Sequence, residues 1–161
     1  MPDAPSPRFA CDAMLGGLAR WLRAAGYDAS WHYSIDDRDL VNLARTEGRT
    51  VLSSDDDVFA FALVRDGLVP ALFVPRGLTG QDQTAHVLRR LGLPLREPRC
   101  MACGGELAGL TREEAAGRVA PRSLACHDRF WACVRCGKAF WHGTHWGKIA
   151  ERLAQAAGGT R

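Results

Sequence analysis

The chain reads as an α/β protein followed by a small metal-stapled module. Three observations point there: short apolar runs alternate with helical periodicity from residue 9 to about residue 91, glycines and capping residues punctuate that alternation, and two Cys-x-x-Cys pairs stand in the last third. Alternation of this kind is the pattern of βαβ units on a parallel sheet.

Taken in order, Phe9-Ala10-Cys11 is short and apolar enough for a buried strand, and Leu15, Leu18, Leu22 and Ala25 then recur at helical spacing up to Gly26. Ala29 to Tyr33 is a second strand pattern. Asp36 or Asp37 can cap a helix carrying Leu40, Leu43 and Ala44 and ending near Gly48. Thr50-Val51-Leu52-Ser53 is strand-like, Val58 to Val64 predicts a helix stopping at Gly67, and Ala71 to Val74 a fourth strand. Gln81 through Val87, Leu88 and Leu91 closes the series, and Leu93-Pro94-Leu95-Arg96-Glu97-Pro98 reads as a linker. The division expected is therefore residues 1–97 and 98–161. In the second part Glu113 to Ala116 suggests a helical turn, Arg118 to Arg129 an irregular stretch, and Ile149 to Ala156 a terminal helix.

With 161 residues, 47% of them apolar, the chain can bury one ordinary core and a small appended unit. Its polar, proline-rich start lacks an apolar run that could serve as a signal, and no stretch reaches membrane-spanning length, so a cytoplasmic, reducing location is expected. The net charge of +3 is uneven: residues 1–97 carry −2 and residues 98–161 carry +5, an asymmetry compatible with an anionic polymer as partner.

Cys100/Cys103 and Cys133/Cys136 offer four thiolates in the arrangement tetrahedral zinc requires, each pair framed as a knuckle with glycine after its second cysteine. A redox motif would be expected once, and disulfides would need an exported chain, so structural zinc is the reading. Cys11 and Cys126 are expected to be small buried hydrophobes, with Cys126 and His127 outside the zinc shell.

In an open parallel sheet, ligands collect at the carboxyl ends of the strands. Aspartates stand there: Asp12 after the first strand, Asp36 and Asp37 after the second, and Asp55, Asp56 and Asp57 after the third. Converging carboxylates repel unless cations sit between them, and oxygen ligands suit Mg²⁺ or Mn²⁺, which points to phosphate-ester hydrolysis. The competing account is that Asp36, Asp39 or Asp57 caps a helix or is solvated. Asp12, set between apolar segments, fits that account less well.

The run from Phe9 through Arg23 (FACDAMLGGLARWLR), with Gly26-Tyr27-Asp28, the Asp36-Asp37 pair, Val51 to Asp55, the Arg99 to Cys103 knuckle, and Cys133-x-x-Cys136-Gly137 followed by Trp141-x-Gly143-x-His145-Trp146, resembles the PIN-like ribonuclease family named after the C-terminal domain of the Mut-seven exoribonuclease. The resemblance implies an α/β PIN-like parallel sheet flanked by helices and followed by a small zinc ribbon. It implies a metal-dependent ribonuclease acting on RNA, in single-stranded form. Carried over, it makes Asp12, Asp36, Asp37 and Asp55 the catalytic acids, with Asp12, Asp37 and Asp55 as Mg²⁺ or Mn²⁺ ligands. The third strand end departs from the family's threonine, arginine and aspartate, having Ser53, Ser54 and Asp55, so a basic side chain that could contact phosphate is missing.

For RNA contact the candidates are Arg20 and Arg23 on the first helix and Arg135, Lys138, His145 and Lys148 in the ribbon, with Trp141, His142 and Trp146 offering flat faces for bases. Those aromatics serve equally as the module's core, which is the expectation for Trp131 and Trp141, and His145 is either a surface residue or a partner of a zinc thiolate. Two other functions compete: a non-catalytic RNA-binding or regulatory module, and a toxin-like nuclease held by a partner.

Overall fold

A computed structural model of the chain describes residues 5–158. Its sheet runs β1 (Phe9–Cys11), β2 (Ala29–Trp31), β3 (Thr50–Ser53) and β4 (Ala71–Phe73), all parallel, in the order β2-β1-β3-β4. Side chains alternate across the pleat. Phe9, Cys11 and Leu52 enter a core with α1 (Gly16–Ala24), α5 (Gly80–Leu91) and α8 (Thr144–Gly158), whereas Ala10 and Val51 enter a second core with α2 (Asp37–Glu47). Three layers result, helices covering both faces of the sheet.

The periodicity of Leu15, Leu18 and Leu22 is realised as a buried stripe, preceded by a 3-10 turn at Ala13–Leu15. Gly48 ends α2 in the left-handed conformation, as its position foretells. The helix expected from Val58 to Val64 is two pieces, α3 (Asp56–Ala60) and α4 (Ala62–Arg65), because Phe61 at their junction takes extended backbone angles.

The linker is held firmly to the body. Tyr27 Oη donates to Pro94 O, Arg96 N to Ala25 O at 2.9 Å, and Arg99 N to Arg23 O at 2.9 Å. Gly26, at φ +100°, is essential to that seat: a Cβ there would lie 2.5 Å from Arg96 Cβ.

Beyond it, β5 (Leu107–Leu110), β6 (Phe130–Cys133) and β7 (Ala139–Trp141) form an antiparallel sheet in sequence order. A capping box at Thr111 and Glu114 starts α6 (Arg112–Ala116). The stretch expected to be irregular contains α7 (Pro121–Cys126), with proline in its first turn, and Cys126 is exposed rather than buried. The terminal helix starts earlier than its apolar stripe suggests and leaves the ribbon, placing Ile149 and Leu153 in the core with Leu18, Leu22 and Leu88. Among the described residues no helix is long and apolar enough to cross a membrane.

The two sheets are joined by charge as well. Asp28, 7% exposed, contacts Arg49 at 3.2 Å, Arg8 at 3.3 Å and Arg135 of the second knuckle at 3.6 Å. Burial alone would raise its carboxyl, but the hydrogen bond and charge of Arg49, with Arg135 and Arg8, hold it below the usual carboxylate range. The folded state thus holds this proton less tightly than the unfolded chain, and the stabilisation is complete above the ordinary carboxylate range and lost as pH falls through the lowered value. Asp28→Asn should cost about 3 kcal/mol in chemical denaturation at neutral pH, and the difference from the parent protein should narrow on acidification.

Candidate functional site

The sheet order places a topological switch between β1 and β3, since the chain leaves β1 toward β2 on one side and β3 lies on the other. Asp12 follows β1 and Asp55 follows β3, so both stand at the carboxyl edge of that switch. One hydroxyl ties them: Ser53 Oγ donates to Asp12 Oδ2 at 2.7 Å and accepts from Asp55 N at 3.0 Å. Ser53 is fully buried and Asp12 is 7% exposed, so this hydroxyl is shielded from water while it bridges the two residues.

Asp36 and Asp37 separate in role. Asp36 Oδ1 accepts from Asp39 N at 2.8 Å and caps α2. Asp37, the next residue, has its carboxyl raised by burial and then by the negative charges of Asp55, Asp12, Asp57 and Asp36, which places it in the field of the switch-point pair. Capping is widespread at this rim: Asp55 Oδ1 accepts from Asp57 N at 3.1 Å, and Asp12 Oδ1 from Met14 N at 3.4 Å. The functional and capping accounts of these residues are therefore not exclusive.

A basic residue that sequence reasoning missed stands at the same edge. Arg76, exposed and just beyond β4, donates from Nε to Ser54 O at 2.9 Å. Ser54 itself is buried, its Oγ donating to Val74 O at 2.6 Å. A cation absent from the third strand end is thus present at the fourth, and the Pro75-Arg76-Gly77 turn after an apolar strand was the available signal.

The four cysteines form the second centre. Their sulfurs all lie within 4.8 Å of one another, with Cys100 to Cys136 at 3.7 Å and Cys103 to Cys133 at 3.5 Å. A tetrahedron with bonds of 2.3 Å has edges of about 3.8 Å, so the donor set fits zinc. Cys126 and His127 lie outside the set. The knuckles share one geometry: Cys100 N donates to Gly105 O and Gly104 N to Cys100 O, while Cys133 N donates to Lys138 O and Gly137 N to Cys133 O. Gly104 and Gly137 have φ of +84° and +77°, and a Cβ at Gly105 would lie 2.6 Å from Cys133 Sγ. Burial pushes the Cys100 thiol up to about 12, whereas backbone N–H groups of Cys136 and Arg135 overcome burial at Cys133 and bring it down to about 6. By contrast Cys11 is an inert buried thiol, raised to about 12 by burial.

The basic candidates divide. Arg23, expected at an RNA-facing rim, is 6% exposed and donates to Ala29 O at 2.8 Å, Met101 O at 3.0 Å and Ala102 O at 3.1 Å, so it is corrected to a tether between α1 and the first knuckle. Arg135 is drawn to Asp28 and to Cys103 O. Arg20, Lys138, His145 and Lys148 are exposed. His142 stacks between Trp131 and Trp146, with ring centroids 4.4 and 5.0 Å apart, which turns His142 and Trp146, expected to offer faces for bases, toward each other and pins α8 to the ribbon. Trp141 packs against the ribbon's small core around Phe130, as expected.

Elemental analysis of metal-replete protein should find one zinc per chain, and Cys133→Ser should lose it and unfold the ribbon sheet while the parallel sheet survives; zinc-free protein with an intact ribbon would contradict this. At the rim, Asp37→Asn should raise stability at neutral pH without added divalent ions, by under about 1 kcal/mol. The sign follows from a raised carboxyl, whose ionisation weakens the fold, so the gain should vanish as pH falls through the raised value.

Comparison with known proteins accords with this arrangement. The Mut7-C RNAse domain model matches residues 7–153. A human protein named exonuclease mut-7 homolog is 35% identical over 109 residues, covering 63% of this chain and 12% of its own length. The chain thus spans a small part of that relative. No solved structure matches it. With a family model covering both sheets and both cysteine pairs, the chain belongs to the Mut7-C RNAse domain family.

Proposed function

We propose that the protein is a divalent-metal-dependent ribonuclease with a PIN-like nuclease body over residues 1–97 and a zinc ribbon with its return helix over residues 98–161, acting on single-stranded RNA in the cytoplasm. The observation that carries this reading is the Ser53 hydroxyl holding Asp12 and Asp55 together at the switch point of a parallel sheet. Family membership supports RNA as substrate, and four thiols disposed for metal rather than for disulfides support a reducing compartment.

Asp12, Asp55 and Asp37 present oxygen donors with no basic partner among the ion pairs of the described residues, a set suited to a hard cation. Mg²⁺ or Mn²⁺ bound there would lower the pKa of a coordinated water and offset charge on the phosphate. Ser53 fixes the Asp12 carboxylate by donating to it, and Asp36 orients the first turn of the helix that carries Asp37. Arg76, anchored through Nε, has its terminal nitrogens to offer a phosphate oxygen. In the hydrolysis a water oxygen bonds to phosphorus, the ester P–O bond breaks, and the leaving oxygen takes up a proton.

A Mg²⁺ or Mn²⁺ titration with labelled single-stranded RNA tests the reading. Asp12→Asn should reduce cleavage by at least about 100-fold while leaving the thermal transition intact or raised. Arg76→Ala should weaken cleavage by about 10-fold without changing the metal concentration needed for half-maximal activity. Cleavage unaffected by Asp12→Asn would end the proposal.

A further inference from the structure

The geometry points to a binding groove for a single-stranded polynucleotide between α1, the ribbon and α8, with Arg20 at its centre. The identity of the polymer rests on the nuclease reading; the groove rests on its own observations. Two adjoining open clefts, of about 450 and 440 Å³, share Arg20, Met101 and Lys138, and a third of about 280 Å³ continues from Arg20 and Met101 to Arg152. Each of the larger two has the volume of an ordinary ligand site.

Charge selects the occupant. Among the described residues no acidic side chain lines any of the three clefts, whereas Arg20, Lys138 and Arg152 all do. Among the described residues no carboxylate forms an ion pair with any of these three cations. Rings line the same clefts: Trp31 in the first, and in the second Phe140, Trp141 and Trp146, of which Trp141 also packs against the ribbon's core and Trp146 also stacks on His142. Cations interleaved with rings suit a chain of phosphates and bases better than an acidic polypeptide, which would use the charge and leave the rings uncovered.

Position links the groove to chemistry. Its Gly16 and Trp31 end adjoins the carboxyl edge of the sheet: Trp31 pairs with Cys11, the residue before Asp12, and Trp31 Nε1 donates to Ala13 O at 2.9 Å. Gly16 lets the ring pack close against the start of α1, since a Cβ there would lie 2.9 Å from Trp31. A strand cut at the acidic rim therefore has a basic, aromatic path for its flank. Arg23 also lines the first cleft, but its guanidinium is committed to the carbonyls of Ala29, Met101 and Ala102, so the path offers Arg20, Lys138 and Arg152 and leaves out Arg135 and Lys148, which line none of these clefts.

Binding of a short unstructured RNA to full-length, zinc-loaded Asp12→Asn protein, without added Mg²⁺ or Mn²⁺, tests this separately from cleavage. The combined Arg20→Ala, Lys138→Ala and Arg152→Ala substitutions should weaken binding by about 10-fold at moderate salt and flatten the log Kd against log salt slope by about 2, from three lost phosphate contacts. Charge-matched Arg45→Ala, Arg65→Ala and Arg90→Ala substitutions, away from the groove, should change affinity less than about twofold. An unchanged slope in the groove variant with intact folding by circular dichroism would overturn the inference, as would displacement of the RNA by polyglutamate as effectively as by unlabelled RNA. Failure of the nuclease reading would show instead as absent cleavage with groove binding preserved.

Discussion

The two sheets are fastened to each other through a buried carboxylate. Asp28 lies between Arg8 before β1, Arg49 before β3 and Arg135 in the second knuckle, so a single charge gathers the amino edge of the parallel sheet and the metal module. Arg49 adds neutral contacts to the same point, donating to Phe9 O at 3.1 Å and Asp28 O at 3.3 Å. A buried charge of either sign would be costly alone, and here each is met by the other, so the arrangement specifies how the modules sit more than it adds net stability. Arg23 supplies a second fastening with backbone carbonyls in place of carboxylates.

That fastening leaves the parallel sheet electrically polarised. At its amino edge arginines are matched to Asp28; at its carboxyl edge stand Asp12, Asp37, Asp55 and Asp57, and the Asp37 carboxyl is raised first by burial and then by the negative charges of the others. The fold tolerates this because helix starts stand at the same edge, with Asp36 and Asp55 accepting from backbone N–H groups that have no helical partner. Capping is therefore what allows acidic residues to be concentrated there. The same carboxylates can meet the N–H groups with one oxygen and keep another for a cation.

Sequence periodicity was sufficient for the sheet and most of its helices, since Leu15, Leu18 and Leu22 have no other way to be buried, and cysteine spacing was sufficient for the four-sulfur cluster. What it could not separate were residues whose role depends on a neighbour distant in the chain. Arg23 has the appearance of an exposed helical cation until the knuckle carbonyls of Met101 and Ala102 are brought to it. Asp36 and Asp37 are adjacent and chemically alike, and only the start of α2 makes one a cap and leaves the other partly buried in the negative field of Asp55 and Asp12. Arg76 is not legible as a rim residue from the sequence because the resemblance places a cation at position 54, whereas the neighbouring strand end carries one. The return of α8 was hidden for the same reason: Ile149 and Leu153 suit any apolar surface, and their partners are Leu18 and Leu22, more than a hundred residues earlier.

This return makes the ribbon's metal centre a matter for the groove as well as for the ribbon. The first knuckle presents Met101, the residue after Cys100, to all three clefts, and the second knuckle is followed directly by Lys138, which lines the larger two. The stacked Trp131, His142 and Trp146 rings then pass the ribbon's position to the first turn of α8, whose later turns are fixed against α1 and α5. His142 is held below its usual pKa by burial and by the nearby Arg129, which favours the uncharged ring where it lies between two indoles. Thiolate geometry thereby sets the separation of the groove walls, at a place in the fold distinct from the aspartate rim.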